Sequence, residues 1–188
     1  MPQLKYNLRN DVLFKMVFTQ YEGLLKALTA EILGIEPGSI AEFKIRNTEM
    51  PPENIGDKFC RLDINMTVNG ERINIEIQNT DQKAFYAKRS LYYWARDYST
   101  ALPASEHYTI LPRTVHISIL AFPLFEGHEG YRSEFQLLET SRHKPLTDRL
   151  MLQYFELPKL QKPLEECTML ERWLYLLIPN RNWIATWY

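Results

Sequence analysis

The stretch RLDINMTVNGERINIEIQN, Arg61 to Asn79, decides how the rest of the chain is read. Polar and apolar residues alternate along it, break once at Asn69-Gly70, and alternate again. Asn-Gly is the strongest short hairpin signal, because both central positions of a type I′ turn need positive φ. A two-residue loop fixes the register. Val68 then faces Glu71, Thr67 faces Arg72, Asn65 faces Asn74, Asp63 faces Glu76 and Arg61 faces Gln78. Leu62, Ile64, Met66 and Val68 join Ile73, Ile75 and Ile77 on the other face, which must meet the core. The polar face therefore carries two carboxylates directly opposed, at a cost of a few tenths to about 1 kcal/mol. Two readings remain open. Either both acids are solvated and screened by Arg61 and Arg72, as on many charged outer faces, or a divalent cation sits between them.

Working outward, Asp11–Phe18 and Tyr21–Ile35 show helical spacing, with Gly34 as a C-terminal cap, so the chain opens with two helices or one broken helix. Pro51-Pro52 excludes regular structure locally. DQKAFYAKRSLYYWARDYSTAL, from Asp81, reads as one long helix ended by Pro103. RTVHISILAFPLF reads as a buried strand, with β-branched and aromatic residues on both faces. SEFQLLET and RLMLQYFELPKL read as two further strands, and LEECTMLERWLYLLI as a helix. Helices and strands in this order predict an α/β or α+β sheet with helices packed against it. Residues 1–178 form one expected domain. Residues 179–188, with Trp183 and Trp187, read as an irregular tail, and truncation or alteration at this end is the expectation.

The chain has 188 residues, 45% hydrophobic and 24% charged, enough for one domain with a real core. A net charge of −1 gives no global basic signature and leaves only a local patch for nucleic acid. Cys60 and Cys167 make no zinc-ligand spacing and are read as reduced. No signal-peptide core or membrane-spanning run is visible, so the expected compartment is the cytoplasm, without membrane partners. There is no P-loop, GxGxxG or nucleophile elbow. The four histidines form no close pair, and His116 reads as a satisfied core histidine.

An LD pair, a hairpin and then EIQ resemble the PD-(D/E)xK nuclease motif. NDVLFKMVF, DKFCRLDI, NIEIQN, RSLYYWARDYS, VHISILAFPLF and FELPKL, in that order, resemble the recombination-promoting nuclease and putative transposase family over roughly residues 8–178. The resemblance implies a restriction-endonuclease-like core, a mixed central β-sheet flanked by helices. It implies a Mg²⁺-dependent DNA endonuclease, with Mn²⁺ as an alternative ion. By matching position, Asp63 and Glu76 would be metal ligands, with the backbone carbonyl of Ile77 as a further ligand. Asp11 would add a third acid, and Gln78 would stand where the family usually has lysine. Lys58 and Arg61 could supply the missing positive charge. Lys88 and Arg89, in the basic and aromatic stretch KAFYAKRSLYYWARDYS, could hold DNA phosphates. Phe85, Arg89, Tyr92 and Arg96 fall near one helical stripe, and Ala84, Leu91 and Ala95 near another. Three functions compete: an endonuclease linked to recombination or a mobile element, a catalytically impaired module that binds DNA or protein, and an interaction domain such as a homodimer built on the aromatic helix.

Overall fold

The computed structural model describes residues 8, 10–50 and 60–178. Asp11–Gln20 forms α1 and Glu22–Leu33 forms α2, broken at Tyr21. Asn10 caps α1 by accepting from the Leu13 N–H, and Gly34 closes α2 in the left-handed conformation (φ 68°). Phe43–Ile45 is β1, and Glu49–Met50 and Cys60–Arg61 pair as a short separate ladder, β2 and β3. The hairpin follows as β4, Ile64–Val68, and β5, Glu71–Gln78. After it come α3 (Tyr86–Ser99), β6 (Thr114–Leu120), β7 (Arg132–Phe135), β8 (Leu150–Glu156) and α4 (Met169–Tyr175).

Six of these strands form one sheet in the order β1-β4-β5-β6-β8-β7. The centre, β5-β6-β8, is parallel and the outer pairs are antiparallel. This is the mixed sheet that the family resemblance implies. The turn is as read: Asn69 (φ 48°) and Gly70 (φ 79°) both have positive φ, and Val68 opposes Glu71. Asn69 is fixed further by its side chain, which accepts from the Ala41 and Glu42 N–H groups and donates to the Ser39 carbonyl.

The sheet separates two environments. Ile64, Met66, Val68, Ile73, Ile75, Ile77, Val115, Ile117 and Ile119 share the main core with α1, α2 and α4. The opposite face is covered by α3, where Tyr86 joins Leu120, Leu152 and Tyr154 in a smaller cluster.

Several elements are shorter than their patterns predict. The long helix begins only at Tyr86, because Asp81 accepts from the Lys83 N–H and the Gln82 carbonyl closes a turn on Phe85 and Tyr86. It stops at Ser99, where Arg72 and the Thr100 hydroxyl capture the Asp97 carbonyl. SEFQLLET is a strand only to Phe135, because Glu139 turns the chain by accepting from the Ser141 and Arg142 N–H groups. LEECTMLERWLYLLI is a short 3₁₀ turn and then α4, separated because Thr168 and Glu171 form a capping box. Both cysteines are buried. Residues 179–188, the Pro51-Pro52 pair and Lys58 lie outside the described residues.

Candidate metal centre

The hairpin ladder has its last pair at Ile64 and Ile75. One step further Asp63 and Glu76 meet, as the register predicts, but through side chains. The Asp63 N–H donates to Glu76 Oε1 at 2.9 Å, and the Ile77 N–H donates to Asp63 Oδ2 at 2.9 Å. The Asp63 carboxylate thus takes the position that a ladder carbonyl would hold for the Ile77 N–H. Within a strand, the N–H and C=O of one residue point to the same side. The Ile77 carbonyl therefore faces the same gap as Asp63, whereas Gln78 turns the other way and its carbonyl accepts from the Ala121 N–H.

The expectation of a solvated polar face fails here. Glu76 is 6% exposed, and the Asp63 side chain 13%. The reason is α3, whose buried stripe is Tyr86, Ser90 and Asp97. This stripe is polar because the sheet face beneath it is polar: Asn74, Glu76, His116 and Ser118 project toward it. The stripe of Ala84, Leu91 and Ala95 is instead exposed. Ser90 bonds Tyr154 at 2.7 Å, and Trp94 Nε1 donates to the Thr114 carbonyl.

Burial and the neighbouring Asp63 charge push the Glu76 carboxyl up to about 8, only partly offset by the Asp63 N–H, Arg89 and Lys15. A proton or a cation is the natural counterpart of such a pair. Lys15 of α1 reaches the remaining Asp63 oxygen, with Nζ to Oδ1 at 2.7 Å.

Gln78 has its amide committed. Its Oε1 accepts from Arg89 Nη2 at 2.7 Å, and its Nε2 donates to the Thr80 carbonyl at 3.0 Å. Arg89 also donates to Gln82 Oε1 and lies 4.7 Å from the Tyr86 ring centroid. Arg89 is thus a fixed charge on the wall of the site. Lys88 and Arg61 are exposed.

Asp11 is exposed in the first turn of α1, and its carboxylate accepts from the Val12 N–H. Among the described residues, no group of three or more His, Cys, Asp or Glu side chains could hold a metal, so Asp11 is not drawn into the Asp63–Glu76 pair. It does lie four residues before Lys15, on the same face of α1.

Sequence reasoning missed Lys15. The available signal was its place in the first helix, four residues after Asp11. His116 needs correcting as well: it is fully buried and kept neutral by desolvation, yet neither ring nitrogen has a hydrogen-bond partner among the described residues.

A second buried centre braces the site. Asp97 accepts from Asn74 Nδ2 at 3.0 Å and pairs with Arg46 and Arg72 at 3.1 and 3.2 Å. Arg46 also reaches Asn65 Oδ1 at 3.1 Å. These contacts pin the C-terminal half of α3 to both hairpin strands.

No helix among the described residues is long and apolar enough to cross a membrane. The family model described as PD-(D/E)XK nuclease family transposase matches residues 8–182. No curated protein and no solved structure matches the chain.

Proposed function

Because the chain belongs to the family of PD-(D/E)XK nuclease transposases, we propose that it is a Mg²⁺-dependent DNA endonuclease serving recombination or the movement of a mobile element. The observation that carries this reading is the interlocked Asp63–Glu76 pair beside the Ile77 carbonyl. It is an all-oxygen set with two carboxylates, which suits Mg²⁺ or Mn²⁺ completed by waters and substrate phosphate. The high proton affinity of Glu76 fits the same role, because binding a cation there replaces a proton.

When bound, the divalent ion supplies Lewis acidity toward the phosphate and lowers the pKa of a coordinated water. The protein's own groups do the rest. Asp63 and Glu76 hold the ion's position, each fixed by a backbone N–H. The covering helix α3 excludes water from one side, so charges there act in a low dielectric. Arg89 contributes a permanent positive charge, held by Gln78 and Gln82. Arg61, Lys88 and Lys58 serve as contacts to the DNA backbone.

One observation favours a second reading, a module that binds DNA without cutting it: Gln78 carries no charge, and its amide is already bonded to Thr80 and Arg89. Incubation with supercoiled plasmid in Mg²⁺, Mn²⁺ or EDTA separates the two. The nuclease reading expects metal-dependent nicking that disappears in Asp63→Ala. Folded protein that retards plasmid but never nicks it supports the binding module.

A further inference from the structure

We propose that Lys15 is the cation that faces the scissile phosphate, filling from α1 the role of the lysine that the motif puts at position 78. This rests on the nuclease reading above.

Two nearby groups are already spent. The Gln78 amide donates to Thr80 and accepts from Arg89. Arg89 divides its two Nη groups between Gln82 and Gln78, with its plane against Tyr86. Its charge is fixed, and one donor on each Nη is held by a glutamine. Arg61 belongs to β3, in the separate two-stranded ladder, and is exposed.

Lys15 differs on each count. Its ammonium reaches Asp63 Oδ1 at 2.7 Å, at the mouth of the site, with its side chain 28% exposed. An ammonium is a compact charge with three rotatable donors on a flexible stem. A divalent ion held by Asp63 would compete for that oxygen, and the released ammonium, still tethered to α1, would lie near the phosphate bound at the same site. There it stabilises the negative charge that builds on the phosphoryl oxygens during attack. With the two side chains only 28% and 13% exposed, the desolvation of this pair offsets much of its Coulombic gain, so folding alone gives little reason for the placement. α1 itself is anchored by Phe14 and Phe18, both buried in the main core, which fixes the reach of Lys15.

The test compares single-turnover plasmid cleavage at saturating Mn²⁺ for wild type, Lys15→Gln, Lys15→Arg and the double variant Lys15→Gln/Gln78→Lys. Thermal unfolding with and without Mn²⁺ is measured for each. Lys15→Gln is expected to lose about 100-fold in rate, the scale for removing one electrostatic stabiliser. It should keep the Mn²⁺-induced rise in unfolding temperature, because both carboxylates remain. Lys15→Arg should retain most of the rate, and the double variant should regain about tenfold by restoring the motif lysine.

A Lys15→Gln rate within about threefold of wild type overturns the assignment and leaves the nuclease standing. Loss of the Mn²⁺ response in Lys15→Gln also overturns it, because the lysine would then act only by holding Asp63. Wild type that cuts no better than Asp63→Ala removes the nuclease reading, and the lysine assignment falls with it.

Discussion

Replacing Glu76 by glutamine isolates what it costs to hold two acids together under α3. Glutamine keeps a carbonyl oxygen where Glu76 Oε1 accepts from the Asp63 N–H, and it removes the charge. In the folded protein the Glu76 carboxyl is raised from 4.5 to about 8, first by burial and then by Asp63. The folded state therefore holds this proton more tightly than the unfolded chain. Below the unfolded value both states are protonated and there is no penalty. As pH rises from about 4.5 toward 8, the unfolded chain ionises first, and the stability of the metal-free protein falls. Above 8 the penalty is constant. At about 1.36 kcal/mol per unit, the full effect is on the order of 4–5 kcal/mol. Urea unfolding in EDTA at pH 5 and pH 8 reads it directly. Wild type should lose several kcal/mol between the two, and Glu76→Gln should lose much less and be the more stable protein at pH 8. Saturating Mn²⁺ should restore wild type at pH 8 and do little for the variant. Equal pH dependence in the two proteins would refute the reasoning, since Glu76 would then carry no raised proton affinity.

Asp97→Ala should be among the most destabilising substitutions in the chain, by about 3–5 kcal/mol, because it leaves Arg46 and Arg72 buried against each other without their counter-charge; urea midpoints measure it. Asn69→Ala should cost about 1–2 kcal/mol by the same assay, since it puts a residue with a Cβ and no polar group at φ 48° and exchanges two hydrogen bonds for bonds to water. His116→Leu should be neutral or stabilising by about 1 kcal/mol, because it removes two buried ring nitrogens that lack protein partners. A loss above about 2 kcal/mol there would show that ordered water satisfies the ring.

The hairpin was legible because three local signals agreed: strict alternation, Asn-Gly, and an apolar face with no interruption. That agreement also placed Asp63 opposite Glu76. What covers the polar face was not legible. Tyr86, Ser90 and Asp97 look like an exposed stripe, because helix patterns are read by hydrophobicity and this stripe is polar. It is buried only because the sheet side chains it meets, Asn74, His116 and Ser118, are polar as well. Complementarity of that kind is a property of the pairing and is absent from either segment alone. The same limit hid Lys15. Its partner lies 48 positions away, and its spacing from Asp11 in α1 points to a helix face but not to Asp63. The shortened elements failed for a different reason. Asp81, Glu139 and Thr168 bind nearby backbone N–H groups and end or delay regular structure within a pattern that would otherwise continue.

The most direct test of the central claim is a crystal of the protein soaked in Mn²⁺ with anomalous data collected near the manganese edge. The account predicts a single strong peak between Asp63 and Glu76, with the Ile77 carbonyl in its coordination sphere and Lys15 moved off Asp63. Full Mn²⁺ loading elsewhere, with Lys15 still on Asp63 and no peak at the hairpin, would contradict it.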